Sequence, residues 1–499
     1  MNERHYDVLI IGAGAGGGTV ARELAPLCRE GKRIAVLEWG PRFRDSEFNG
    51  DELRMAGKVY FASGGFLTES RDMTLAFGRG YGGSTMVYTG TSIDLPAHVA
   101  DAWAVPGLSH GDIAARTAKY KAENNVHELD DGLINENNGL FAQGCRALGL
   151  NVRKFPVNIK GCQGSGMCNM GCPNQAKQGT NRVQLPEAEA QGVEIVTHCR
   201  VERIGERYVD ARIEPFPFGL PPEWEPGPYR IHAKVIVVCG GAVNTSALLL
   251  RSSLPGRFPA LGRYFTCHPA LTLIAQHDQP ITNYYGFPKT YYCDDFERSD
   301  HFILETCMYF PFTTAKNIAT FGEAHSAFLE DFRKLQMILV LAGDPALREN
   351  RIEVDGDGEP KVHYNFADSV RAGLVKAQKV AGDIFFAAGA RRIHLPAAAE
   401  PMIDASMAGD LDTLVGDQHF ELGRIPISAA HMMGGCRMGT SPEDSVTDAW
   451  GRVHGIPWLF CADSSLFPKS SEVNPYLTVM ALADRVAEGI RMEAGALLA

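Results

Sequence analysis

The sequence predicts an α/β protein, in which a discontinuous Rossmann-like dinucleotide-binding domain carries an inserted domain built on an antiparallel sheet flanked by helices. Three observations predict this class. The chain opens with a buried strand, a glycine-rich turn and a helix, and a strand, Gly-Gly turn and helix return after an insertion. Alternating apolar stretches further along are typical of antiparallel strands.

The first element is the stretch YDVLIIGAGAGGGTVARELA, which predicts a strand over 7–11 and a helix from about residue 16 to 24. Gly12, Gly14 and Gly17 have the G-x-G-x-x-G spacing, which serves a tight turn, close backbone approach to a pyrophosphate and helix–strand packing. The next strand, RIAVLEWG, ends in Glu38, whose carboxylate is suited to reach a ribose hydroxyl. Residues 6–40 are therefore predicted to bind an adenine dinucleotide.

A second glycine-rich loop, FGRGYGGSTMVYTGTS, covers 77–92 and contains Gly82, Gly83 and Ser84. Two interpretations stay open from these residues. The backbone N–H groups of such a loop wrap a flavin or a pyrophosphate, or the loop is a flexible connection.

Composition limits the partners and the compartment. The 499 residues have a net charge of -11 and no basic run, which argues against a nucleic-acid partner. No stretch offers about 18 uninterrupted apolar residues, so no membrane span is predicted. Because the first apolar stretch lacks the leader of a secretory signal, we expect a cytoplasmic location, where most of the twelve cysteines are thiols or metal ligands.

The pattern along the chain predicts three parts. Residues 1–110, 191–267 and 428–499 form the nucleotide-binding domain, and 111–190 form a helical insertion that contains clustered cysteines. Residues 268–427 form the substrate-binding domain, because apolar alternating stretches such as FILETCMYFPF and MILVLAG occur there, followed by a turn and a long helix.

The carboxy-terminal segment contains the densest set of motifs. It shows HMMGGCRMG from His431, then GRVHG, a strand that ends in Asp463, and Asn474 with Pro475. This order resembles the glucose-methanol-choline oxidoreductase family, flavoproteins that oxidise alcohols, and the motifs at 6–40, 77–92 and 235–252 match the family in the same order. The resemblance extends to members similar to long-chain alcohol oxidases and dehydrogenases and to cholesterol oxidases.

The resemblance implies FAD rather than NAD. It assigns His431 as the base that accepts the hydroxyl proton while a hydride leaves for flavin N5, and an imidazole suits that step. Asn474 donates a hydrogen bond to the developing alkoxide. Asp463 is implied at the ribityl or pyrophosphate region, Asn474 and Pro475 lie at the pyrimidine end of the flavin, and Val201 belongs to the cofactor site. The second glycine loop offers no histidine for covalent attachment, so non-covalent FAD is expected.

GCQGSGMCNMGCP, residues 161–173, holds Cys162, Cys168 and Cys172. The spacing is not that of a two-pair zinc site, and no fourth ligand lies nearby. Three thiolates suit a three-iron cluster, and the stretch resembles the cluster segment of FAD sugar dehydrogenases of the same family. It also resembles GCPxxAK segments of long-chain alcohol oxidases, which imply a structural turn beside the flavin.

The leading hypothesis is an FAD-dependent oxidoreductase that converts an alcohol to an aldehyde or ketone and passes electrons to oxygen, a quinone or another acceptor. Tyr284, Tyr291, Tyr309 and Phe312 are candidate lining residues that suggest an apolar or aromatic alcohol, although ordinary strand and core positions explain them too. The alternatives are a sugar or sterol dehydrogenase that passes electrons to a quinone or cytochrome, or a flavin lyase or flavin-binding protein.

Overall fold

The computed structural model describes all 499 residues. The strands are β1 (Asn2–Ile11), β2 (Ile34–Leu37), β3 (Phe66–Leu67), β4 (Met73–Leu75), β5 (Val126–Glu128), β6 (Arg153–Lys154), β7 (Pro156–Asn158), β8 (Glu194–Val196), β9 (Cys199–Gly205), β10 (Tyr208–Ile213), β11 (Gly227–Val238), β12 (Ala270–Gln276), β13 (Tyr291–Cys293), β14 (Phe302–Thr306), β15 (Leu335–Ala342), β16 (Arg351–Val354), β17 (Pro360–His363), β18 (Arg392–His394), β19 (Met402–Asp404), β20 (Ile427–Ala429) and β21 (Leu459–Cys461). The helices are α1 (Ala15–Leu24), α2 (Glu52–Val59), α3 (Ala97–Trp103), α4 (His110–Glu123), α5 (Glu136–Ala147), α6 (Gln184–Ala190), α7 (Gly241–Arg251), α8 (Glu297–Asp300), α9 (Pro311–Lys316), α10 (Gly322–Glu330), α11 (Asp368–Ala387), α12 (Leu411–Leu414), α13 (Tyr476–Met492) and α14 (Ala494–Leu497).

The first sheet has a parallel centre. Its order is β8-β2-β1-β11-β10-β9, and β21 also pairs with β11. β1, β2, β8, β11 and β21 run parallel, whereas β9 and β10 join as an antiparallel meander. Helix α1 packs on β1 and β2, and the central strands are continuous apolar runs such as Val8–Ile11, as is typical of buried parallel strands.

The second sheet is almost wholly antiparallel. Its order is β3-β4-β20-β12-β15-β14-β13-β6, with β18 attached to β12 and β19 attached to β18, and only β4 and β20 pair in parallel. The long helix α11 packs against this sheet and against α5, and its apolar side includes Leu374, Ile384 and Phe385. Two sheets of these kinds confirm the predicted α/β class.

The stretch 111–190 differs from the helical insertion expected from the sequence. It contributes α4, α5 and α6 but also β5, β6 and β7, and β6 extends the edge of the second sheet. The helix ends follow local capping chemistry, since the side chains of Ser109 and Asn135 accept hydrogen bonds from the N–H groups of Asp112 and Asn138. The insertion is packed into the fold, because β6 joins the second sheet while α6 packs on α1 and α4 on α13.

The cysteines and the helices bear on two further expectations, the state of the thiols and the prediction of no membrane span. All twelve cysteines are free thiols. No helix combines the length and the apolar character that crossing a bilayer requires.

Candidate active site

Three glycines at the end of β1 have different surroundings. Gly12 has φ +104°, and a Cβ there would lie 2.4 Å from the carbonyl oxygen of Cys239. A Cβ on Gly17 would lie 1.8 Å from the carbonyl oxygen of Gly12. In contrast, a Cβ on Gly14 would meet nothing closer than 3.9 Å. The chain's own packing therefore requires Gly12 and Gly17, whereas Gly14 leaves open space at the N-terminus of α1, where an anion is favoured.

Glu38 follows β2 directly and is buried beside this turn. Its carboxylate accepts hydrogen bonds from the N–H groups of Ala13, Gly40 and Gly80, at 2.8 to 3.1 Å. Burial raises the pKa of Glu38, and those three N–H groups oppose the rise. The carboxylate thus ties the first glycine turn to the start of the second glycine loop.

The second glycine loop packs on the first turn. Gly82 and Gly83 both have positive φ, and a Cβ on Gly83 would lie 2.7 Å from the Cα of Gly14. Oγ of Ser84 accepts a hydrogen bond of 2.9 Å from the N–H of Gly78, which closes the loop on itself. Two segments that are about seventy residues apart in sequence therefore form one glycine-lined wall.

Asp463 is buried at the end of β21. Its carboxylate accepts hydrogen bonds from the N–H groups of Gly241 and Ser465 and from the hydroxyl of Thr245. Burial raises the pKa of Asp463, while these donors lower it. The side chain consequently holds the N-terminus of α7 against β21 next to the first glycine turn.

His431 and Asn474 meet although they are far apart in sequence. Nδ2 of Asn474 lies 3.4 Å from Nε2 of His431, and Nδ1 of His431 lies 3.0 Å from Nδ1 of His268. Because an amide nitrogen only donates, Nε2 of His431 accepts and its ring proton sits on Nδ1. His268 accepts that proton's hydrogen bond and donates from Nε2 to Oγ of Ser470 at 2.8 Å.

This hydrogen-bond order keeps a lone pair of His431 on Nε2. Burial lowers the pKa of His431 well below its ordinary value, and His268 and Lys289 lower it further. Burial and Lys289 also lower the pKa of His268 to about 3. Both imidazoles are therefore neutral at pH 7.

A cavity of about 540 Å³ lies between the two sheets and joins these parts. Ten of the residues predicted for the site line it: Gly12, Gly14, Glu38, Gly83, Ser84, Val201, His431, Asp463, Asn474 and Pro475. The other two predicted residues, Gly17 and Gly82, do not line the cavity. Of the four aromatic candidates, Tyr309 and Phe312 line the cavity, whereas Tyr284 and Tyr291 do not.

Four residues of this region escaped the sequence analysis: His268, Lys289, Glu305 and Ser470. Lys289 lines the cavity and forms a buried ion pair with Glu305 on β14. His268 precedes Pro269, and no motif around it marks it as a site residue. The other three lie in stretches without motif spacing. Strand pairing in the second sheet, together with the chain before α13, brings them into this region.

The three cysteines border a separate small cavity of about 10 Å³. Burial raises the pKa of Cys162, and it raises the pKa of Cys168 to about 12. Nζ of Lys177, also buried there, donates hydrogen bonds to the carbonyl oxygens of Cys168 and Met86. Lys177 therefore joins the cysteine segment to the second glycine loop.

Models of a known family match both parts of the chain. The amino-terminal model of the GMC oxidoreductases matches residues 6–270, and the carboxy-terminal model matches residues 346–483. An uncharacterized GMC-type oxidoreductase of Mycobacterium tuberculosis is 30% identical over 492 residues, which cover 97% of this chain and 75% of that protein. A long-chain-alcohol oxidase of Arabidopsis thaliana is 25% identical over 518 residues, covering 96% of this chain and 67% of that protein.

A solved structure has the same architecture. Pyridoxine 4-oxidase from Mesorbium loti matches with a TM-score of 0.72 and 16% sequence identity, over 98% of this chain and 99% of that chain. This likeness confirms the predicted fold with its Rossmann-like nucleotide-binding domain. The chain accordingly belongs to the glucose-methanol-choline family of FAD-dependent oxidoreductases, which act on CH–OH groups.

Proposed function

We propose that the protein oxidises an apolar primary or secondary alcohol to an aldehyde or ketone, with non-covalently bound FAD and with His431 as the base. The observation that supports this best is the pairing of His431 Nε2 with the Asn474 amide on the wall of the cavity, while Nδ1 is held by His268. The neutral imidazole presents its basic nitrogen where a ligand can reach it.

The residues present fit FAD. Gly14 leaves space for a pyrophosphate at the N-terminus of α1, and Glu38 lines the cavity at the position proposed for the ribose. Oδ1 of Asn474 is closed to solvent and has no hydrogen-bond partner within the chain. A buried acceptor without a partner is costly, so a donor from a ligand is expected there. Val201, Asp463 and Pro475 complete the proposed cofactor wall.

In the proposed reaction, Asn474 and His431 bind the substrate hydroxyl. Nε2 of His431 takes the hydroxyl proton as the C–H bond breaks, and Nδ2 of Asn474 donates to the oxygen as negative charge develops. When bound, FAD supplies the two-electron acceptor for the hydride. His268 and Ser470 keep the imidazole ring in the orientation that this step requires.

The substrate end of the cavity favours an apolar alcohol. Its walls there include Phe61, Phe77, Tyr309, Leu339 and Leu341. Apolar walls with a few convergent polar groups are typical of small-molecule sites. The relation to a long-chain-alcohol oxidase supports the same substrate class and favours oxygen as the electron acceptor.

The test is an anaerobic absorption titration of the purified protein with aliphatic, aromatic, sterol and sugar alcohols, followed by air. We expect apolar alcohols to bleach the flavin bands near ~450 nm and air to restore them quickly. Bleaching by sugars alone, with slow recovery in air, would favour the dehydrogenase alternative with a quinone or cytochrome acceptor. No bleaching by any alcohol would contradict the proposed function.

We propose that the cysteine segment is a structural turn beside the flavin loop. The contacts of Lys177 support this, because they tie Cys168 of the segment to Met86 of the second glycine loop through a side chain of the protein itself. Iron and acid-labile sulfide in anaerobically purified protein would instead support a cluster at Cys162, Cys168 and Cys172. Yellow colour that stays with the acid-denatured chain would contradict non-covalent FAD.

A further inference from the structure

A buried ion pair lies next to the proposed catalytic residues. Lys289 precedes β13, Glu305 lies on β14, and their side chains are only 7% and 0% exposed. No other salt bridge of the chain has both side chains less than one tenth exposed. Removing two charges from water is costly, so a pair of this kind is weak evidence for stability and calls for another explanation.

The pair is connected to the reaction site at both ends. Lys289 lines the cavity together with His431 and Asn474, whereas Glu305 lies behind it. Burial raises the pKa of Glu305, and contacts with Lys289 and with the Asn474 amide oppose that rise. Asn474, the amide next to Glu305, also reaches Nε2 of His431, so it lies between the ion pair and the imidazole.

Lys289 is the charged group that lowers the pKa of His431. The titratable groups that face the imidazole are His268, from the segment before β12, and Lys289, and the former is neutral. Cys307 and Tyr309 line the adjoining wall, and burial raises the pKa of both, so they are neutral too. Lys316, on α9, is the other cation of the substrate end, and burial lowers its pKa.

We propose that Lys289 and Glu305 are positioning residues of the alcohol-oxidising site: Glu305 orients the amide of Asn474, and Lys289 places a positive charge beside the substrate oxygen. This inference rests on the proposed function. The O–H proton passes to Nε2 of His431, and the electron pair of the C–H bond leaves as hydride to bound FAD, so that the alcohol becomes a carbonyl compound. Lys289 and Glu305 keep their protons and charges throughout, and the ammonium stabilises the oxygen while it is negative.

The decisive variant is the double substitution K289M/E305Q, which removes both charges and retains the approximate shape. We expect kcat for flavin reduction to fall about tenfold or more with little change in KM, as when a transition-state interaction is lost. A nearby cation disfavours imidazolium, and within the pair it is Lys289 that faces the cavity while Glu305 lies behind it, so removal of the pair raises the pKa of His431. The acid limb of the pH profile of kcat/KM should therefore move to higher pH by about one unit.

Single variants and a control separate this role from a structural one. K289R keeps the charge and should retain the wild-type pH profile, whereas K289M should show the shifted profile. The matched control is K154M. Lys154 lies on β6, the strand next to β13, and forms an ion pair with the exposed Asp131. K154M should behave as wild type. If K289M alone does not fold because Glu305 is left unpaired, the double variant and K289R provide the test.

A binding measurement gives a readout independent of turnover. A carboxylate with the chain of the best alcohol carries the negative charge of the alkoxide, whereas the corresponding amide does not. We expect K289M/E305Q to lose affinity for the carboxylate about tenfold and to bind the amide as wild type does. Wild-type kcat, pH profile and carboxylate affinity in the double variant would overturn the inference. Wild-type protein that no alcohol bleaches would contradict the proposed function itself.

Discussion

At the scale of single residues, the site depends on how each side chain is held. His431 is neutral because it is buried and faces His268 and Lys289, and its tautomer follows from the donors and acceptors around it. Asn474 cannot act as a base. Its amide nitrogen donates a hydrogen bond to Nε2 of His431, and its buried amide oxygen has no partner. Chemistry at this site therefore depends on a network rather than on one histidine.

The first prediction concerns the base itself. His431→Ala should lower kcat for flavin reduction by about 10²- to 10⁴-fold, because a positioned general base contributes that much. The measurement is anaerobic stopped-flow absorbance of the flavin band at about 450 nm. The control is His454→Ala, since His454 bonds Ser445 and does not line the cavity. Full activity of His431→Ala would refute the assignment.

The second prediction contrasts two glycines of one motif. Gly14→Ala should weaken FAD binding and leave the stability of the FAD-free protein nearly unchanged, because its Cβ meets no protein atom closer than 3.9 Å. Gly17→Ala should destabilise the FAD-free protein by about 1–3 kcal/mol or more, because its Cβ would lie 1.8 Å from a carbonyl oxygen. Fluorescence titration with FAD and urea unfolding measure the two effects. Equal behaviour of the two variants would show that the roles are not separate.

At the scale of elements, close helix packing supports the second sheet. Helix α5 contacts α11 through Gly144, and a Cβ there would lie 2.2 Å from the carbonyl oxygen of Ile384. Both helices lie against strands that carry or adjoin Lys289, Glu305 and Tyr309. The geometry of the substrate wall thus depends on a glycine outside the cavity.

The third prediction follows from that contact. Gly144→Ala should lower the free energy of unfolding by about 1–3 kcal/mol, because the backbone of α11 has to move away. Gly139→Ala is the matched control in the same helix, since a Cβ at Gly139 meets nothing within 4 Å. That substitution should be neutral or stabilise by up to about 1 kcal/mol through helix propensity. Urea unfolding of both variants is the measurement, and equal effects would contradict this account.

At the scale of the whole molecule, the cavity is shared by two differently built halves. Its nucleotide end is lined by residues of the parallel sheet such as Ile11 and Val238, and its substrate end by residues of the antiparallel sheet such as Leu339 and Leu341. A cofactor that fills this space touches both sheets. Binding and folding stability are therefore coupled.

The fourth prediction concerns this coupling. Free FAD at about one hundred times its Kd should stabilise the fold by about 2.7 kcal/mol, and the melting temperature should rise with FAD concentration. Differential scanning calorimetry of the FAD-free protein with added FAD measures it. Gly14→Ala should show a smaller rise at each concentration. A melting temperature that does not depend on FAD would contradict the proposed cofactor site.

The sequence by itself determined the fold class and a part of the cavity wall that includes Gly12, Gly14 and Glu38. Local patterns carry that information, because a strand, a glycine turn and a helix are formed by neighbours in the chain, as at 6–40. The resemblance of the motifs to a known family added His431 and Asn474. It could not show that 111–190 would add a strand to the second sheet, since short strands such as β6 are specified by their partners.

The tertiary structure alone decided which side chains surround His431. His268, Lys289, Glu305 and Ser470 come from separate segments, and the pairing of β12, β13, β14 and β15 together with the chain before α13 brings them within reach. No spacing in the chain records such contacts, because hydrogen bonds between distant strands depend on register. The same contacts set the charge and the tautomer of His431, the proposed base, so these properties belong to the folded molecule and not to the sequence around position 431.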